Sequence, residues 1–207
     1  WYRKSADQDN SLGQANLGYM YEHGKGVSKD YKKALKWYRK AADQGSEVGQ
    51  HNLGNMYAKG RGVPKDYKEA LKWYRKAAEQ GNALAQFSLG DMYKTGQGVE
   101  KDFKEAVEWY RKAVEQRNAD AQVNLGDMYK NGRGVKKDFK EALKWYRKAA
   151  EQGDALGQVT LGDMYKTGKG VKKDLKEAAK WYRKAAEQGN PSGKAKLEQL
   201  KNTTHSE

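Results

Sequence analysis

Apolar positions along this chain keep to helical spacings, and two patterns alternate. Between Asp66 and Gln80, the residues Tyr67, Ala70, Leu71, Tyr74, Ala77 and Ala78 stand at offsets 0, 3, 4, 7, 10 and 11, one face of a helix. We denote this helix B; its other face carries Lys68, Lys72, Arg75 and Lys76. From about Ala83 to Lys94 a second helix, A, is predicted, because Ala85, Leu89 and Tyr93 recur every four residues. Gly81 closes helix B where left-handed backbone is wanted, and Asn82 can cap the helix A that follows. Gly96-Gln97-Gly98-Val99 then turns the chain back into the next helix B.

This alternation is periodic. Trp1, Trp37, Trp73, Trp109, Trp145 and Trp181 are spaced by 36 residues. A fixed period of that size marks stacked helix-turn-helix units, each too small to bury its apolar face alone. The chain is therefore expected to be all-α. Residues 1–9 read as the second half of a preceding helix B, 10–189 as five repeats, 190–201 as a capping helix and 202–207 as a flexible tail. The capping helix lacks the helix A aromatic and both turn glycines, and Pro191 sits where a first helical residue tolerates it.

Local signals support the same boundaries. Asp66 with Glu69, Asp102 with Glu105, Asp138 with Glu141 and Asp174 with Glu177 read as capping boxes, and Lys33 in place of Glu removes half of the first. Arg117 replaces the glycine that closes helix B elsewhere, at a cost on the order of 1 kcal/mol if left-handed backbone is kept. Helices this short are marginal alone, so stability should come from stacking of the Trp and Tyr columns. On that reading Trp109→Ala should cost roughly 3–5 kcal/mol.

Composition changes this picture in three ways. Hydrophobic residues at 37% and charged residues at 33% are too polar a mixture for one deep core, while six Trp and 14 Tyr are too many for a disordered chain. A thin, elongated core satisfies both. The formal charge of +14, from 41 Lys and Arg against 27 Asp and Glu, raises attraction to nucleic acid, acidic lipid or acidic protein as a question about partners. The absence of Cys excludes a disulfide framework and a thiolate metal site. No apolar run approaches the roughly 20 residues that span a bilayer. Trp1-Tyr2-Arg3-Lys4 opens in the middle of the recurring motif, so upstream sequence, and fraying at this half-helix, are expected.

Leu89-Gly90, Tyr93, Gly96, Gly98-Val99, Asp102, Lys104, Ala106, Trp109-Tyr110, Lys112-Ala113 and Gln116 together resemble the Sel-one-like (Sel1-like) repeat, a relative of the tetratricopeptide repeat. Leu17-Gly18, Leu53-Gly54, Leu125-Gly126 and Leu161-Gly162 keep the same register, so the resemblance covers nearly the whole chain. It implies a right-handed superhelical solenoid whose A helices line a concave groove, and a role as an adaptor in protein complexes. The disulfide-rich bacterial branch of that family carries a cysteine pair in each repeat, which this chain lacks.

Positions that repeat without variation are explained by packing, so recognition is expected in the columns that vary. If the family geometry holds, Leu84, Phe87, Ser88, Asp91 and Lys94 mark the groove-facing stripe. One column then reads Ala15, His51, Phe87, Val123 and Val159, and the next Asn16, Asn52, Ser88, Asn124 and Thr160. A third reads Tyr19, Asn55, Asp91, Asp127 and Asp163, and a fourth Glu22, Ala58, Lys94, Lys130 and Lys166. The amides suit capture of an extended peptide backbone, with Phe87 as the anchor. The alternative for Asp91 and Lys94 is a pair on a solvated face.

Most of the basic charge falls instead on helix B, where Lys68, Lys72, Arg75 and Lys76, and again Lys140, Lys144, Arg147 and Lys148, form a ridge suited to weak, salt-sensitive contact with a polyanion. The first function expected is therefore a scaffold binding a peptide or protein, and the second a nucleic-acid or other polyanion binder. A passive spacer or designed array is a third. Gly60-Arg61-Gly62 and its copies follow no strand and read as helix-helix turns rather than phosphate loops. His23, His51 and His205 lack metal-ligand spacing, and no nucleophile stands beside a base. Neither a cofactor nor catalysis is expected.

Overall fold

Each helix begins where a polar side chain takes up amides left unpaired in its first turn. Asn10, Ser46, Asn82, Asn118 and Asp154 accept from the backbone amide three residues on. Asp30, Asp66, Asp102, Asp138 and Asp174 do the same for the intervening helices. The computed structural model describes residue 6 and residues 10–204. Among these it contains eleven helices and no strand: α1 (Ser11–His23), α2 (Tyr31–Asp43), α3 (Glu47–Lys59), α4 (Tyr67–Glu79), α5 (Ala83–Thr95), α6 (Phe103–Glu115), α7 (Ala119–Asn131), α8 (Phe139–Glu151), α9 (Ala155–Thr167), α10 (Leu175–Glu187) and α11 (Pro191–Thr204). Odd-numbered helices to α9 are helix A of the sequence pattern, and even-numbered ones are helix B.

The chain divides into two compact units, residues 1–109 and 110–207, and the division falls inside α6. Within the first, consecutive helices from α1 to α5 pack pairwise, and α1 also touches α3. Within the second, α7 to α11 do likewise, with α9 touching both α7 and α11. In each unit, then, A helices stack on A helices. In the second unit Val123, Ala142, Leu143, Tyr146, Leu161, Met164 and Trp181 form one core cluster, and Ala178, Tyr182 and Leu200 another.

The tyrosine of each Trp-Tyr pair is the deepest aromatic, with Tyr38, Tyr110, Tyr146 and Tyr182 fully buried. Its partner tryptophan is shallower, and Trp37 and Trp145 are only half-buried. The ring of Tyr182 lies directly on Gly162, where an added Cβ would stand 2.5 Å from a ring carbon. This explains the Leu-Gly pair of the repeat: the glycine is there for close approach, in a helix that otherwise disfavours it.

A second buried layer is polar. Gln14, Gln50, Gln122 and Gln158 are buried, and each accepts from the glutamine closing the neighbouring helix B (Gln44, Gln80, Gln152 and Gln188) at 2.7–2.9 Å. Gln50, Gln86 and Gln158 also donate to the carbonyls of Ala42, Ala78 and Ala150 on the preceding helix. Repeats are thus fixed in register by a directional link as well as by apolar contact.

One expectation needs adjusting and two are refined. The capping boxes work in one direction only. Asp66, Asp102, Asp138 and Asp174 accept from the first-turn amides, but their own amides donate to the carbonyls of Tyr57, Tyr93, Tyr129 and Tyr165. Nothing is left for the glutamates to satisfy, and Glu69, Glu141 and Glu177 pair with Lys72, Lys144 and Lys180 instead. Arg117 keeps the left-handed backbone of the glycine it replaces, at φ 62°. The capping helix runs to Thr204, so 202–204 are helical where a flexible tail was expected, and 205–207 lie outside the described residues. The expectations for 1–9 also lie outside them, except that Ala6 is helical and buried.

Candidate functional site

The core tyrosines reach through each helix pair, so their hydroxyls emerge at the A-helix face and set its chemistry. Tyr146 donates to Asp127 Oδ1 and Tyr182 to Asp163 Oδ1, both at 2.6 Å, and Tyr74 donates to Asn55 Oδ1 at 2.8 Å. In the first repeat that position is Tyr19, and Tyr38 donates instead to Glu22 Oε2 at 2.8 Å. Glu22 is buried, and Arg61 of the next repeat's turn closes its other oxygen at 2.8 Å. Burial, reinforced by the facing carboxylates, holds the hydroxyls of Tyr38, Tyr146 and Tyr182 far above their ordinary titration range, so they act as donors only.

Asn55, Asp127 and Asp163 are therefore required by the fold as well as displayed on it. The sequence carried a signal for this that column-by-column reading missed: the one repeat with Tyr in the third column has its acceptor, Glu22, in the fourth.

The remaining groove candidates divide by depth. His51 is buried, as are its counterparts Ala15, Val123 and Val159 in other repeats, so this column is mostly core and only Phe87 stays half-buried. Asn55 Nδ2 donates to His51 Nε2 at 3.3 Å, which requires the neutral ring. Burial pushes the His51 pKa down to about 4. Asn16, Asn52 and Asn124 are half-buried at the face, and Tyr19 is exposed. Lys94 pairs with Asp91 at 2.8 Å and Lys130 with Asp127 at 2.7 Å. Asp163 pairs instead with Lys196 of α11 at 2.7 Å, and Lys166 meets no carboxylate among the described residues.

Leu12, Val48, Leu84 and Leu156 form a further column that sequence reasoning touched only at Leu84. They are 60, 37, 53 and 54% exposed, and with Tyr19 at 41% they are the exposed large hydrophobics among the described residues. All five stand on A helices. Positions two and nine of a helix are seven apart and share a face, so Leu12 and Tyr19 sit beside Asn16.

The basic residues of helix B are largely occupied. Lys72 and Lys144 pair with Glu69 and Glu141. Arg75 and Arg147 donate to the hydroxyls of Tyr93 and Tyr165 in the following helix A at 2.6 and 2.8 Å, and Lys76 and Lys148 lie over Trp73 and Trp145 at 4.7 and 4.4 Å. Lys68 and Lys140 alone of the eight carry no such partner among the described residues. Their neighbours thus cover the aromatic edges and tie one repeat to the next. No group of three or more His, Cys, Asp or Glu among the described residues could hold a metal ion, and no described helix is long and apolar enough to cross a membrane.

Comparison with known proteins agrees with this architecture. The Sel1 repeat pattern matches residues 1–10, 11–46, 48–82, 83–118, 119–154 and 155–190. A protective antigen present in uropathogenic Escherichia coli strains, with the same repeat fold, is 44% identical with a TM-score of 0.87 over 95% of this chain and 42% of that one. A Sel1 repeat protein from Oxalobacter formigenes is 42% identical with a TM-score of 0.86 over 92% of this chain and 76% of its own. Helicobacter pylori cysteine rich protein B is 33% identical with a TM-score of 0.52, covering 64% and 96%. No curated protein matches the sequence. This chain spans less than half the length of the first of these structures. Period, helix order, the Leu-Gly contact and these matches agree: the chain is an all-α solenoid of 36-residue repeats and belongs to the Sel1 repeat family.

Proposed function

We propose that this protein is a non-enzymatic interaction scaffold that takes a peptide or protein partner on the exposed face of its A helices. Sel1 repeats generally mediate protein–protein interaction. The observation that carries the reading for this chain is that its exposed large hydrophobics, Leu12, Tyr19, Val48, Leu84 and Leu156, all stand on that face. Half-buried Asn16 and Asn52 beside them offer both donors and acceptors to a main chain. Apolar anchors flanked by amides are what a partner segment needs for affinity without a demanding sequence.

Affinity capture in cells of the source organism tests this, using the wild-type chain and a Leu12→Asp, Leu84→Asp variant at two salt concentrations. A partner protein held by wild type and lost by the variant at both salts is expected. Partners retained equally by both would remove the A-helix face from consideration.

A further inference from the structure

We infer that the partner carries an acidic segment whose carboxylates seat in a lysine-lined pocket on the A-helix face of the second unit. This rests on the reading that the A helices bind a partner. The pocket holds about 400 Å³ and is lined by Lys130, Lys166, Lys169 and Lys196 around Tyr146 and Asp163.

Its counterpart two repeats earlier, inside the first unit, holds about 210 Å³ and has the same Tyr and Asp at Tyr74 and Asp91. There Ala58 stands in place of Lys130 and Gln97 in place of Lys169. Lys94 matches Lys166, so the two pockets differ in Lys130 and Lys169, and those two lysines are no requirement of the fold.

Ion pairing explains why the second pocket has charge to spare. Lys94 pairs with Asp91 and Lys130 with Asp127, each three residues apart. Lys166 stands in the same relation to Asp163, but that carboxylate is engaged elsewhere: Lys196 of the capping helix reaches both oxygens, at 2.7 and 2.9 Å, and the Tyr182 hydroxyl takes Oδ1 at 2.6 Å. Among the described residues half-buried Lys166 therefore meets no carboxylate, and Lys169 meets only the Phe139 ring, at 5.8 Å. The hydroxyls of Thr160 and Thr167 donate to backbone carbonyls, so the unmatched donors are the two ammonium groups. Half-buried in a concave surface, the Lys166 charge is screened less than one on an open face, while Lys169 beside it is exposed. Carboxylates spaced along a peptide can reach Lys166 and Lys169 while avoiding Asp127 and Asp163. A continuous phosphate backbone would meet those two aspartates.

Fluorescence anisotropy of the whole chain with a labelled oligo-glutamate peptide and its oligo-glutamine counterpart, near physiological salt, tests this. The glutamate peptide should bind, and Lys166→Ala with Lys169→Ala should weaken it roughly tenfold. Lys68→Ala with Lys140→Ala on helix B should leave it unchanged, and thermal melts should confirm that both pairs fold. Failure of oligo-glutamate to bind, or equal weakening by the two pairs, overturns the inference. Tighter binding of a charge-matched oligonucleotide through Lys166 and Lys169 overturns it in favour of nucleic acid. If the glutamine peptide binds equally and Leu156→Asp abolishes both, the acidic partner is excluded while the A-helix face stands.

Discussion

Arg117 is the residue whose backbone departs furthest from its type, holding φ 62° where the other repeats use glycine. Arg117→Gly should therefore stabilise the protein by about 1 kcal/mol, read as a rise in denaturant midpoint at constant slope. Gly162→Ala should do the reverse, costing about 1–3 kcal/mol because the new methyl meets the Tyr182 ring at 2.5 Å. His51 gives a pH signature. Its folded pKa of about 4 lies below the ordinary histidine value of 6.5, so between those values the unfolded chain binds more protons than the folded one. Stability is full above pH 6.5 and falls toward pH 4, by up to about 3 kcal/mol. His51→Gln should flatten that limb relative to wild type; an unchanged difference across the window would show that the ring is not held neutral. The sequence exposed Arg117 because a glycine column has one exception. It concealed the role of His51, because a column shared with Ala15, Val123 and Val159 reads as surface until its depth is known.

At the scale of the helix, the caps and the glutamine links decide where each element stops and which neighbour it meets. Asp138→Ala should cost about 1 kcal/mol, since two first-turn amides lose their acceptor. Glu141→Ala should cost only a few tenths, since it loses a surface pair with Lys144 and no cap. Comparable losses from the two would restore the reciprocal capping box. Helix periods, the Gly turns and the Asp caps were legible because they are local. The return bond from Asp138 to the Tyr129 carbonyl was not, since it depends on where the preceding helix ends. The pairing of Gln152 with Gln122 and of Tyr182 with Asp163 was hidden for the same reason: residues 30 and 19 apart come together only once the helices stack.

At the scale of the whole molecule, the formal charge of +14 separates two kinds of association. Any nucleic-acid binding through helix B should be indifferent to sequence and should weaken steeply as salt rises. Much of that ridge already contacts glutamates, tyrosines and tryptophans, which is why we propose the A helices for recognition. A site-specific photo-crosslinker, placed in turn at Leu84, Asn52 and Leu156 on A helices and at Lys68, Arg75 and Lys140 on B helices, tests that assignment most directly. The account predicts protein adducts from the first three positions that persist at high salt, and none from the second three. Adducts that form at Lys68 and Lys140, are absent at Leu84 and Leu156, and vanish with salt would contradict it.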